Sequence, residues 1–254
     1  MTSVQDSVQR QFGAVASAYA TSSVHAAGAD LAALLEAASI QGGERALDVA
    51  TGGGHTALAL ARQGADVTAF DLTTEMLAAA QHLAESQGVS TITYVTGDAE
   101  HLPFPNDSFD IVTCRYAAHH FPHPAQAARE WARVLKPGGR FLLGDVVAPD
   151  DANSDTVLNA AEILRDPSHV RDHTVRQWFA MLEDAGLAVR EIGVFPLRLE
   201  FASWTARMRT PEAAAAQIRA LFAGAPASVQ ETLHLEPDGT FTCPVAVLLG
   251  EKAG

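Results

Sequence analysis

Three consecutive glycines set the tightest constraint on this chain. They lie in Leu47-Asp48-Val49-Ala50-Thr51-Gly52-Gly53-Gly54-His55-Thr56, which leaves an apolar, strand-like run and opens a helical stretch, Thr56 to Gln63. Glycines at such a junction permit a tight turn with positive φ and let a ligand approach the backbone closely. As a bare pattern, Gly52-x-Gly54-x-x-Ala57 also fits the dinucleotide fingerprint, so the loop alone leaves two cofactor classes open.

The surrounding pattern supplies the architecture. Apolar, β-rich runs at 46–49, 67–70, 92–95, 111–114 and 141–143 alternate with amphipathic helical stretches. That alternation predicts βαβ units and a parallel sheet covered on both faces. Met76, Leu77, Ala80, Leu83 and Ala84 form one helical stripe, closed by Gly88. Ala128, Trp131, Val134 and Leu135 form a second, stopped by Lys136-Pro137-Gly138-Gly139. Val175, Trp178, Phe179 and Leu182 form a third, whose aromatics read as core anchors.

After that the alternation breaks. Leu187 to Phe195 and Phe241 to Leu249 read as strands, separated by residues 196–240. That excursion holds Ser203 to Met208 and a helix from Pro211 to Phe222, with Thr210 as expected N-cap and Pro211 as first helical residue. It has two readings: a lid or wall of a substrate pocket, or the interface of a homodimer. Phe201 and Trp204 either line a pocket or bury the lid.

Three acids narrow the ligand. Asp48 precedes the loop, where its carboxylate can reach a cationic ligand end. Asp71 ends the second run, 17 residues after Gly54, where a carboxylate can accept from both hydroxyls of a ribose. Asp98, in Thr96-Gly97-Asp98-Ala99, can accept from the exocyclic amine of adenine while the Ala99 amide donates to the ring. Singly, each has a plainer reading; Asp71 can cap the helix that follows it. Together they place one acid at each of three successive strand ends. Asp48 argues against a nicotinamide cofactor, because it would sit beside a pyrophosphate with no matching cation.

Composition removes other classes. The 254 residues are 48% hydrophobic with a formal charge of −13, so no net positive field favours nucleic acid. The two cysteines, Cys114 and Cys243, are far apart in apolar surroundings and read as reduced core thiols. No secretory pattern opens the chain, and no apolar run reaches the roughly 18 residues of a membrane span. The expectation is a cytoplasmic protein with no membrane partner.

On these residues the sequence resembles the class I S-adenosylmethionine-dependent methyltransferases, and within them the ubiquinone/menaquinone-biosynthesis-like C-methyltransferases. The 48–54 segment matches the family's glycine loop, with Ala50 where the first glycine usually stands. Asp71 matches the ribose-binding acid, with Leu72 and Met76 as adenine contacts, and Asp98-Ala99 the adenine-reading pair. Leu102-Pro103-Phe104-Pro105, Ser108-Phe109-Asp110 and Arg133 to Gly139 match stretches around the fourth and fifth strands. Phe12 through Tyr19 resembles the F-x-x-x-A-x-x-Y segment that folds over the cofactor. The resemblance implies a Rossmann-like α/β fold: a seven-stranded, mostly parallel sheet with helices on both faces and a helical cap. It implies one domain over 1–254, with an N-terminal cap (1–40), a cofactor-binding core (45–195) and a lid insertion (196–240). The cofactor implied is S-adenosylmethionine, leaving S-adenosylhomocysteine, held by Tyr19, Asp48, Ala50, Thr51, Gly52, Gly54, Asp71, Leu72, Met76, Gly97, Asp98, Ala99 and Arg115.

Methyl transfer from a sulfonium rests on positioning and desolvation, with a base only where the acceptor must lose a proton. His119 and His120, after the fourth run, are the base and acceptor-contact candidates; the plainer reading is a packed structural imidazole. His101, His119, His120 and His123 lack the Cys or carboxylate spacing of a metal set, so no metal is expected. Arg165, His169 and Arg171 form a second polar stretch, able to clamp an acidic acceptor or to stay solvated and ion-paired. Arg207 and Arg209 carry the same two readings, and Trp204 is a further candidate acceptor contact. The function expected is methylation of a small molecule at C, N or O. A binding module or a non-methylating catalyst on the same fold is the competing class, and an NAD-dependent oxidoreductase the more distant one.

Overall fold

The computed structural model describes residues 4–13 and 28–254. Two helices, α1 (Val4–Gly13) and α2 (Ala29–Ala38), precede a βα alternation: β1 (Arg45–Val49), α3 (His55–Arg62), β2 (Asp66–Asp71), α4 (Thr74–Ser86), β3 (Thr93–Thr96) and β4 (Phe109–Arg115). A 3-10 turn (Ala118–His120) leads into α5 (Pro124–Val134), β5 (Leu135–Val146), α6 (Ala152–Arg165), α7 (Val175–Asp184) and β6 (Leu187–Leu199). Then come α8 (Phe201–Arg207), α9 (Glu212–Ala223), α10 (Ala227–Thr232) and β7 (Phe241–Lys252). All seven strands form one sheet in the order β3-β2-β1-β4-β5-β7-β6. The first five are mutually parallel and β7 is antiparallel to both neighbours.

Burial explains the strand sequences. Residues 46–49 of β1 are all buried, as a strand covered on both faces requires. Leu47 and Val49 face one cluster with Trp131 of α5 and Trp178 of α7; Ala46 faces the opposite cluster with Leu34 of α2 and Leu60 of α3. The Trp131 ring stacks on Phe141 at 4.5 Å. By contrast β6, at the sheet edge, alternates between half-buried and exposed positions.

A third apolar cluster lies beyond the strand ends. Val157, Leu158 and Ala161 of α6 pack against Phe201, Trp204, Ile218, Phe222 and Val229 of the excursion and against Phe241 and Val245 of β7. The apolar face of the excursion is therefore seated on this chain, as a wall above the sheet. Cys114 and Cys243 are buried free thiols.

Three departures from the sequence reading have a visible physical cause. First, β6 runs on to Leu199 rather than ending at Phe195, because Pro196 to Leu199 pair with Phe241 to Pro244. Lys136 to Gly139 are part of β5, with Gly138 at φ +76 carrying the irregularity that shifts the pairing with β4. Thr210 does not cap α9: its hydroxyl donates to the Arg165 carbonyl at 3.0 Å, and Pro211 takes the N-cap position. The long-range bond to α6 wins over the local cap.

Candidate active site

A cleft of about 990 Å³ opens at the carboxyl ends of β1, β2, β3 and β4. Open parallel sheets bind ligands at this edge, where the strand order reverses. Its lining includes Ala50, Thr51, Gly52, Leu72, Met76, Gly97, Ala99 and Arg115, all expected from the sequence.

The glycine loop is built around two carboxylates. Asp48 is buried beneath it; Oδ2 accepts from the Thr51 hydroxyl (2.6 Å) and the Ala57 amide (3.1 Å), and Oδ1 from the Thr113 hydroxyl (2.7 Å). Asp48 thus does not line the cleft, contrary to the expectation that it reaches the ligand. Both oxygens are spent on clamping the loop to the start of α3 and to β4, and burial pushes its pKa up. Asp71 does line the cleft. Its Oδ2 accepts from the Gly52 amide (2.8 Å) and its Oδ1 from the Thr73 amide (2.9 Å). Burial raises the Asp71 pKa to about 6 against the pull of those two amides. Asp71 does not cap the helix that follows: Thr73 holds the N-cap position of α4, and Asp71 accepts from the Thr73 amide one step outside it.

The loop's shape follows from its residues. Gly52 has φ +52 with open space where a Cβ would stand, on the cleft side. Gly54, at φ +82, is not a cleft residue: a Cβ there would lie 2.6 Å from that of Ala80 on α4. Ala50 adopts φ +53, a left-handed conformation that a glycine would hold more easily.

At the end of β3, Asp98 accepts from the Glu100 amide and the His101 ring, each at 2.9 Å. It also accepts from Gln5 Nε2 of α1 at 2.9 Å. Val4, Gln5, Val8 and Phe12 bring α1 across the cleft. Sequence reasoning pointed here through the N-terminal cap and the segment beginning at Phe12; Tyr19, the other end of that segment, lies outside the described residues. Arg115 lines the cleft with its guanidinium on Asp30 of α2 at 2.7 Å, both side chains buried.

A second cavity, of about 560 Å³, shares Phe12, Tyr116 and His120 with the first. Val146, Leu197, Leu199 and Trp204 give it apolar walls; His119, Glu162, Arg165, Asp166, Asp172 and Arg207 give it a polar end. His119 Nδ1 lies 2.7 Å from Asp145 Oδ1. Burial opposes a charge on this ring, but the Asp145 carboxylate outweighs it and holds the pKa up at about 9. His120 Nδ1 faces the Ser168 carbonyl at 3.0 Å, which can only accept, so Nδ1 carries the proton and Nε2 keeps its lone pair. Burial and the neighbouring His119 charge push the His120 pKa well down. The two rings, 4.3 Å apart, therefore take opposite states at neutral pH.

Other candidates fall elsewhere. His169 is buried against His119 and His120, with Nε2 3.3 Å from Asn159 Oδ1; it lines neither cavity, and burial pushes its pKa down. Arg171 pairs with Asp155 and also lies off both cavities. Arg165 reaches the second cavity but is held by Glu162 at 3.0 Å and the Trp204 carbonyl at 3.1 Å. Neither arginine is set to clamp an acidic acceptor. His101, His119, His120 and His123 each take a separate partner: Asp98, Asp145, the Ser168 carbonyl and Glu100 respectively. Asp145 and Asp172 were missed. Asp145 carried a signal, an acid one residue before the end of its strand, as Asp48 is in β1.

Comparison with known proteins decides the family. The chain is 44% identical to the uncharacterized methyltransferase YcgJ of Bacillus subtilis over 200 residues, 79% of each chain. The protein belongs to the methyltransferase family. A model described as a methyltransferase domain matches residues 47–143, from β1 into β5. The YcgJ crystal structure superposes with a TM-score of 0.85 at 39% identity, covering 89% of this chain and 98% of that one. A putative methyltransferase of Bacillus halodurans gives 0.86 at 38% identity, covering 89% and 100%. YafE of Escherichia coli is 41% identical over 74% of this chain and 90% of its own length. This methyltransferase is thus an enzyme of the transferase class, with the seven-stranded fold of its relatives. Among its described residues, no helix is long and apolar enough to cross a membrane.

Proposed function

We propose that this methyltransferase moves a methyl group from S-adenosylmethionine to a small-molecule acceptor bound in the second cavity. The observation that carries the reading is the wall that the two cavities share, made of Phe12, Tyr116 and His120, so that His120 faces both. The first cavity fits the cofactor: the Gly52 backbone is bare on the cleft side, and Asp71 and Asp98 present carboxylates from adjacent strand ends. Bound there, S-adenosylmethionine supplies an electrophilic methyl group and leaves as S-adenosylhomocysteine. Asp71 would accept from the ribose hydroxyls. Asp98 would accept from the adenine amine once Gln5 yields its place, and Met76 and Leu72 would flank the ring.

His120 Nε2 is the base for an acceptor that must lose a proton, since its lone pair is fixed by the Nδ1 bond to Ser168. His119, protonated against Asp145, would stabilise negative charge developing on that acceptor. Phe12, Leu197, Leu199 and Trp204 exclude water from the transfer path. We place the protein in the cytoplasm, which suits two buried unbridged thiols.

The test is mass analysis of products from candidate acceptors incubated with S-adenosylmethionine. A product heavier by one methylene that disappears in His120→Asn, with cofactor binding kept, supports the assignment. A rearranged, unmethylated product would favour the non-methylating catalyst on this fold, and bound cofactor without product a binding module.

A further inference from the structure

The polar end of the second cavity is almost fully matched. Asp145 is paired with His119, Glu162 with Arg165, and Asp166 accepts from the Ser168 amide (2.8 Å) and hydroxyl (2.6 Å). Asp172 is the exception. It lines the cavity at 1% exposure, and its Oδ2 has no hydrogen-bond partner among the described residues. Its backbone is not free to turn away. Asn159 of α6 accepts from the Asp172 amide at 2.7 Å and donates to its carbonyl at 3.3 Å. A buried carboxyl without a partner costs a protein several kcal/mol at most sites, so the fold holds this one in place at the expense of stability.

We propose that Asp172 anchors the methyl acceptor, and that this acceptor is a neutral, largely apolar small molecule whose hydroxyl group fills the hydrogen-bond position open at Asp172. The inference rests on the reading of the second cavity as the acceptor site. The class follows from the lining. Val146, Leu197, Leu199 and Trp204 favour an apolar body. Glu162, Asp166 and Asp172 repel a carboxylate or phosphate. Arg165, Arg207 and the His119 imidazolium repel an ammonium. A hydroxyl suits either state of the acid, donating to the carboxylate or accepting from the protonated carboxyl. Burial and the Glu162 and Asp145 charges push the Asp172 pKa well up, against the pull of the His119 charge.

Phenol and toluene, matched in shape and differing by a hydroxyl, test this on protein saturated with S-adenosylhomocysteine. Phenol is expected to bind wild type at least about tenfold more tightly than toluene, read by ligand-observed NMR titration. The preference should persist in Asp172→Asn, which keeps a hydrogen-bonding group, and collapse to under about twofold in Asp172→Leu. Asp172→Leu should melt at or above wild type and bind S-adenosylhomocysteine unchanged. Equal binding of the two probes, binding of neither, a phenol preference that survives Asp172→Leu, or a leucine variant that melts well below wild type would each overturn the inference. Failure of wild type to bind S-adenosylhomocysteine would instead overturn the methyl-transfer reading; the same probe comparison on ligand-free protein would still report on Asp172.

Discussion

His119 is joined to Asp145 twice: its Nδ1 lies 2.7 Å from Oδ1, and its backbone amide donates to Oδ2 at 3.1 Å. The two hydrogen bonds tie the 3-10 turn after β4 to the end of β5 and hold the His119 ring in the lining of the second cavity. It also separates the two histidines by charge, because a protonated His119 discourages a proton on His120.

Asp145→Asn removes the anion that holds His119 protonated. The folded pKa of about 9 stands above the ordinary 6.5, so the pair stabilises the protein fully below pH 6.5. That contribution is lost as pH rises through about 9. Wild type should lose melting temperature across this window, while the asparagine variant should be flatter and lower at pH 6. Thermal melts from pH 6 to 9.5 check it.

The loop residues at positive φ should respond in opposite directions to substitution. Ala50→Gly relieves a left-handed alanine and should raise stability by up to about 1 kcal/mol. Gly54→Ala drives a methyl group into Ala80 at a position with φ +82 and should cost at least about 2 kcal/mol. Urea unfolding of both variants checks the pair.

Asp30→Ala removes the buried carboxylate that pairs with the Arg115 guanidinium. The partners are buried and 2.7 Å apart, so losing one should destabilise the protein by about 3 kcal/mol. Arg115 lines the cleft beside Tyr116, so cofactor affinity should fall as well. Denaturant melts and binding titrations read the two effects separately.

How far the sequence carried depended on whether a feature was local. The glycine loop, Asp71 and Asp98 were legible because a strand, a turn and a helix lie next to one another in the chain and their order dictates which face the acids reach. Asp48 was placed correctly along the chain but assigned the wrong contacts, since Thr113 comes from a strand 65 residues away. Asp172 was invisible for the same reason: its meaning depends on α6, β6 and α8 converging over it. Thr210 shows the limit for local rules, where a good N-cap residue is drawn instead to a distant carbonyl.

Cofactor binding should follow the ionisation of Asp71. Only the carboxylate accepts from two hydroxyls, and burial has raised its pKa to about 6. Affinity for S-adenosylhomocysteine should be level above pH 7 and weaken about tenfold by pH 5. Titrations at pH 5, 6 and 7.5 measure it.

The most direct test is calorimetric titration of S-adenosylhomocysteine into wild type and Asp71→Ala at pH 7.5, with the fold of each verified by circular dichroism. The account predicts stoichiometric binding to wild type and a loss of at least about tenfold in the variant, which removes an acceptor for two hydroxyls. Folded wild type that does not bind, or a variant that binds equally well, would contradict it.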